Sequence, residues 1–293
     1  MKINHFLSAG MIALALSSCS SESAEELTNN QKFTVVSTIK SSTRAPQLSE
    51  NGAGKFQDGD QNTLFFSNTS KTQQLSSFLY TYGQTYYWDG LGIPAETPTV
   101  NVAAIYPTVN TDTPKDFKWN VTASHDVKDV LLAPAVQVAT NSASPVQLNF
   151  VHALHNLKIE LSASGVDVSN ETLKQTKIIC RNFKSEAQIN LLEGKVIGAT
   201  GTAATVQTTG KSASFILPAQ AVGTIEIELQ LQNKNKVFRL ADCLVNGESL
   251  KELKSGNVFT LQVEVSKNNG FVINGQSIAG WGNQGSYNGE FVL

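Results

Sequence analysis

The sequence predicts an all-β protein built as two tandem β-sandwich domains. Three observations predict it. Past residue 31, apolar residues recur with period two, and no long helical period appears. Clusters of Gly, Asn, Asp and Ser interrupt these runs at roughly ten-residue spacing, the rhythm of a sandwich. Residues 139–145 are small and polar with no apolar period. They read as a linker dividing 32–145 from 146–293, each of ordinary sandwich size.

The chain begins with a different pattern. Lys2 supplies a positive start, and residues 6–16 are apolar except for Ser8 and Gly10. That run is too short to span a bilayer, which takes ~20 residues. It ends in Leu16, Ser17, Ser18 and Cys19. Small residues between a leucine and a cysteine fit the cleavage box of bacterial lipoproteins, in which the thiol accepts diacylglycerol. Residues 1–18 are therefore expected to be a lipoprotein signal peptide, and Cys19 the lipid-bearing, palmitoylated first mature residue. Residues 19–31 contain one large apolar residue, Leu27, and cannot bury enough surface to order themselves. They read as a tether. Glu22, Glu25 and Glu26 within it resemble signals that send lipoproteins to the cell surface. No later apolar run approaches 18 residues.

Composition narrows the function classes. The full chain carries a formal charge of −2, and losing residues 1–18 with one lysine makes it −3. That near-neutral balance argues against nucleic acid as a partner. A Ser-, Thr-, Asn-, Gln- and Val-rich, charge-poor chain suits an extracellular β-protein. Beyond Cys19, two cysteines remain, Cys180 and Cys243, both in apolar strand contexts. They are candidates for a disulfide in an oxidising compartment. The alternative is two buried free thiols, and the choice depends on whether their Cα atoms come within ~7 Å.

Strands follow in order. Phe33, Val35, Ser37 and Ile39 alternate, and Leu64, Phe65 and Phe66 follow a turn at Asp58, Gly59 and Asp60. Residues 99–106 run into Pro107, and Val130 to Ala133 stops before Pro134. Val146, Leu148 and Phe150 alternate, and the apolar phase then moves to Leu157, Ile159 and Leu161. Such a shift needs a bulge or bend between His152 and Asn156. Later candidate strands are 176–180, 187–191, 213–217, 223–231, 236–245 and 257–265, with one helical turn at 170–174.

No motif speaks for catalysis, and no metal or cofactor is expected. His125, His152 and His155 are the mature chain's histidines, and the last two fall on opposite strand faces unless a bulge intervenes. No third ligand stands nearby, so a structural role outweighs zinc. Residues 58–62 open like a calcium loop, but Thr63 and Thr69 occupy the positions that need Gly and Glu. The stretch reads as a turn. The aromatic run Tyr80, Tyr82, Tyr86, Tyr87 and Trp88 fits strand packing at a hairpin through Gly83 and Gln84. The competing reading is a glycan-stacking platform of Tyr86, Tyr87 and Trp88. The tail carries Tyr287, Phe291, Val292 and Leu293 after a glycine-rich stretch. It suits either the last strand of its own domain or a donor strand.

Several segments carry a family likeness in a fixed order. They are the lipoprotein box, 33–45 ending in Thr43, Arg44 and Ala45, then 56–60 before Leu64, Tyr87 with Trp88, 102–107 and 129–133. The stretch 146–161 is the most telling, followed by 256–261 and 278–281. In these the chain resembles the Bacteroidetes fimbrillins, the Mfa-like subunits of type V pili. The resemblance implies two transthyretin-like (Ig-like) sandwiches carried as a lipoprotein to the outer membrane. It implies a non-enzymatic structural or adhesive subunit of a surface fimbrium, with other fimbrial subunits as partners; the alternative is a non-polymerising surface lipoprotein that binds host or bacterial surface glycans or proteins, with the aromatic run as its platform. It also implies removal of the lipidated N-terminal segment by an arginine-specific protease, with Arg44 and Ala45 at the cut. A neighbouring subunit's strand would then fill the opened groove. Pro46, directly after Ala45, departs from an ideal cleavage site.

Overall fold

A computed structural model describes residues 30–39, 56–124, 129–163, 168–245, 247–266 and 270–280. The protein is nearly all β. The chain opens with β1 (Lys32–Phe33) and β2 (Val35–Ile39), then β3 (Gln61–Ser67), β4 (Gln74–Thr81), β5 (Tyr86–Tyr87) and β6 (Thr99–Tyr106). Next come β7 (Phe117–Asn120), β8 (Leu131–Ala139), β9 (Val146–His152), β10 (His155–Ala163) and a single helical turn, α1 (Asn170–Leu173). The Ser169 hydroxyl caps that turn by accepting from the Thr172 N–H at 3.1 Å. Two long strands follow, β11 (Lys177–Asn190) and β12 (Lys195–Thr209), then β13 (Ser212–Leu217), β14 (Gln220–Ala221), β15 (Glu226–Leu231) and β16 (Lys234–Arg239). The chain continues through β17 (Leu244–Val245), β18 (Glu248–Ser249), β19 (Glu252–Leu253), β20 (Asn257–Ser266) and β21 (Gly270–Gly280).

The larger strands form three sheets. The first has the order β2-β9-β8-β6-β3-β4. The second runs β12-β11-β15-β16, with β7 also paired to β11. The third runs β13-β10-β20-β21. Pairing is antiparallel except for β2 with β9 and β10 with β20.

Buried apolar residues gather in two clusters. One packs Phe33, Val35 and Ile39 with Leu64, Phe66, Val102, Leu148 and Phe150. The other fills the space between the second and third sheets, with Leu157, Ile159, Phe259 and Leu261 among its members, beside Ile178, Ile227 and Leu229. Neighbouring residues on the central strands of the first sheet divide between the two. Leu64 and Phe66 enter the first cluster and Phe65 the second; Ala104 and Ile105 split likewise, as do Leu131 and Leu132. Burial on both faces is why these strands read as continuous apolar runs, while the peripheral strands alternate.

Several sequence expectations change. The segment 139–145 is the turn between β8 and β9, and β9 completes the first sheet beside β2. It does not act as a free linker. The phase change after β9 is a break at Ala153 and Leu154, where the chain leaves the first sheet for the third. Pro134 does not end a strand. It sits inside β8 where the ladder to β6 shifts register, so its missing N–H breaks no pair. The next N–H, of Ala135, donates to the Glu193 carbonyl at 3.0 Å. The expected strands 176–180 and 187–191 are the two ends of β11. Its first part pairs with β15, and its second part, Glu186 to Ile189, pairs with β7 from the N-terminal half.

Candidate functional site

The N-terminal strand pair lies in an aromatic groove of the first sheet. Residues 34–39 include Thr34, Val35, Val36, Thr38 and Ile39, β-branched side chains that favour extended backbone. Alternation turns Phe33, Val35, Ser37 and Ile39 inward and leaves Lys32, Val36 and Thr38 exposed. β2 is an end strand, with β9 as its neighbour from Val35 opposite Val146 to Ile39 opposite Phe150. The Val146 N–H donates to the Thr34 carbonyl at 2.8 Å, and the Thr38 hydroxyl donates to Asn149 Oδ1 at 2.6 Å.

Phe33 is 1% exposed. Three rings meet it edge-on: Trp88 at 4.9 Å, Phe66 at 5.9 Å and Tyr80 at 6.0 Å between centroids. Burying a side chain of this kind contributes about 2 kcal/mol, and T-shaped rings add to it. The Tyr80 hydroxyl accepts weakly from the Val35 N–H at 3.4 Å. Further along, Tyr82 stacks on Phe56 at 4.8 Å, and Phe56 meets Phe150 edge-on at 4.8 Å. The Tyr82 hydroxyl accepts from Asn62 Nδ2 at 2.9 Å and lies beside the Ser37 hydroxyl. Burial pushes both phenols above their ordinary range. Residues just upstream are tied to the groove rim: the Gln31 N–H donates to Asn141 Oδ1 at 2.7 Å, and the Trp88 N–H to the Gln31 carbonyl at 3.2 Å.

The other candidates fall elsewhere. Trp88 is 6% exposed, with its ring on Phe33 and its Nε1–H donating to the Ser142 carbonyl at 2.9 Å. Tyr86 leans on Phe78 and Tyr80, and Tyr87 is 49% exposed. Tyr80, Tyr82 and Trp88 pack in the core, with Phe33 against the Trp88 ring, while Tyr87 stays largely exposed. Cys180 and Cys243 are both free and buried, so the thiol alternative holds in place of the bridge. Burial raises both thiols, Cys243 to about 12. His152 and His155 are both inside the protein with separate partners. His152 Nδ1 meets Asp129 Oδ2 at 2.6 Å; His155 Nδ1 donates to the Lys254 carbonyl at 2.9 Å. The opening of the calcium-like stretch is a turn in which Asp60 Oδ2 accepts from the Gln57 N–H at 2.5 Å. Cys19, Arg44, Ala45, His125, Tyr287, Phe291, Val292 and Leu293 lie outside the described residues.

Three groove residues escaped the sequence reading as site residues, Asn62, Tyr80 and Tyr82. Asn62 stands between Gln61 and Thr63, where polar residues read as the end of a turn.

Solved structures with the same fold come from Bacteroides and Porphyromonas species. A candidate cell adhesion protein from Bacteroides uniformis superposes with a TM-score of 0.62 at 18% identity, covering 86% of this chain and 99% of that one. Another, from Bacteroides ovatus, gives 0.59 at 14% identity, covering 86% and 98%. The tip fimbrial protein Mfa3 of Porphyromonas gingivalis gives 0.51 at 7% identity, covering 86% and 100%. No curated protein sequence matches the chain. The model of one family, described as fimbrillin-like, matches residues 18–281. With that span matched, the chain belongs to the fimbrillin-like family.

Proposed function

We propose that the protein is a structural or adhesive subunit of a cell-surface fimbrium, assembled by strand exchange after its N-terminal segment is removed. The carrying observation is β2: an end strand that buries Phe33, Val35 and Ile39 in the first core and lies upstream of Arg44. Cutting after Arg44 detaches this strand from the rest of the chain. Its departure uncovers an apolar groove and a row of backbone groups on β9, which a partner's strand can satisfy. The chain's other arginines, Arg181 and Arg239, lie within β11 and β16. A protease needs extended, accessible backbone, so these two laddered arginines are poor substrates. In this reading Cys19 carries the lipid that brings the precursor to the outer surface. The six-stranded sheet forms the acceptor unit, and the tail at 286–293 supplies the donor.

Mass spectrometry of the surface-assembled protein, with electron microscopy of the fibres, tests this reading. The expected mature N-terminus is Ala45, and Arg44→Ala is expected to leave chains beginning at Cys19 and to abolish fibres. Deleting 286–293 is expected to leave folded, processed monomers. Fibres built from chains that retain residues 19–44 would overturn the reading.

A further inference from the structure

Apart from the Tyr80 hydroxyl, which meets the Val35 backbone, the groove under β2 is apolar to the strand's side chains except at one place. Phe33, Val35 and Ile39 meet rings and aliphatic side chains, but Ser37, the third inward position, meets the Tyr82 hydroxyl. Tyr82 in turn accepts from Asn62 Nδ2. Asn62 is completely buried, and its Oδ1 has no hydrogen-bond partner among the described residues. Because the Tyr82 hydroxyl already accepts from Asn62, its own proton needs an acceptor, and Ser37 supplies the hydroxyl beside it.

We propose that Asn62 and Tyr82 read the strand lying in the groove and fix its register, by requiring a hydrogen-bonding side chain at the position now held by Ser37. The occupant is a strand patterned aromatic, aliphatic, hydroxyl, aliphatic at alternate positions. The proposal deepens the strand-exchange reading and rests on it for the idea that the occupant changes.

The physical reason is what an apolar groove cannot do alone. A one-residue slip turns every inward side chain out, so alternation already forbids it. A two-residue slip preserves alternation; it takes Phe33 out of its ring cage, but the aliphatic positions discriminate weakly between Val and Ile. The polar pair discriminates strongly, because such a slip sets Val35 or Ile39 against the Tyr82 hydroxyl, which already accepts from Asn62 Nδ2, and leaves its own proton without an acceptor. A single polar group in an apolar seam fixes coiled-coil register in the same way. A purely local Asn62–Tyr82 contact gives the opposite expectation for Ser37→Val. Valine is the better strand former and the more apolar residue, so it would hold the strand at least as well.

The test uses full-length protein cut after Arg44 and fluorescent peptides of residues 30–43. The wild-type peptide is expected to bind, its Ser37→Val variant about 10-fold more weakly, and its Ser37→Thr variant close to wild type. In an acceptor carrying Asn62→Leu and Tyr82→Phe, the Ser37→Val peptide is expected to bind at least as tightly as the wild-type one. Equal or tighter binding of Ser37→Val to the unsubstituted acceptor overturns the register proposal. If no peptide binds, the strand-exchange reading falls instead. The register proposal is then decided in the uncut chain by amide hydrogen exchange of Val35 to Ile39. Ser37→Val is expected to speed that exchange about 10-fold, and unchanged or slower exchange overturns the proposal.

Discussion

Burial sets the chemistry of single side chains here. His155 is almost fully enclosed, and its imidazole is pulled down to about 4 from an ordinary value near 6.5. Desolvation disfavours the charged ring more than the Lys254 carbonyl favours it. The unfolded chain therefore takes up a proton at His155 near pH 6.5, while the folded chain does not until about pH 4. Stability conferred by the neutral ring is intact above pH 6.5 and declines as pH falls toward 4, by roughly 3 kcal/mol over the window. Denaturant unfolding at pH 4.5 and 7 is expected to show a flatter pH response for His155→Gln than for the parent. Asp129 has the opposite slope, because burial raises its carboxyl pKa, but it is common to both proteins and drops out of the difference. The sequence suggested a structural role for His152 and His155, on the argument that no third ligand stands near. It did not show that the two would be separated by a sheet-to-sheet crossing, because that crossing is made by Ala153 and Leu154, which carry no turn chemistry.

At the level of elements, strand alternation was legible wherever one face is wet. Phe33 to Ile39 announced β2 because Lys32, Val36 and Thr38 are exposed between buried neighbours. β12 went unread for the converse reason. Its fifteen residues are largely Gly, Ala and Thr, and most are exposed or half-buried, so no apolar period survives. Its structure comes from β11, against which it pairs through three register shifts. β7 was missed because four residues, Phe117, Lys118, Trp119 and Asn120, are too short to show a period, and their partner lies in the distant β11. For β2 the ring cage makes a quantitative expectation. Phe33→Ala removes the side chain that Phe66, Tyr80 and Trp88 enclose, a loss of about 3–5 kcal/mol for a buried aromatic. That loss is expected to appear mainly as local release. Limited digestion at Arg44 should accelerate by at least tenfold, while the thermal midpoint of the rest of the protein moves little.

For the molecule as a whole, the sequence supplied the all-β class but made the join between halves look looser than it is. Residues 139–145 carry the composition of a linker, yet the halves interlock elsewhere. The Leu191 N–H donates to the Pro114 carbonyl at 2.7 Å, Gln188 Nε2 to Asp116 Oδ1 at 2.6 Å, and the Val121 N–H to the Ser185 carbonyl at 2.9 Å. Gly194 is the tightest point. Its φ is +63°, and a Cβ there would stand 2.2 Å from the Ala133 carbonyl oxygen. Gly194→Ala is expected to destabilise by roughly 2–4 kcal/mol. Trp88 in the first cluster and Trp119 in the second can report on the join. Fluorescence-detected unfolding is expected to change from one transition to two in that variant. The parallel pairing of β2 with β9 also sets a schedule. Thr38 and Asn149 stand 111 residues apart in the chain, so this early strand has no seat until the chain has passed its midpoint. Closing so long a loop is slow, and its entropic charge falls on this one strand. The segment made earliest is thus seated late, and it is tethered on one side by the stretch that carries Arg44. A single peptide-bond scission turns an intramolecular ligand, held at high effective concentration, into one that dilutes away.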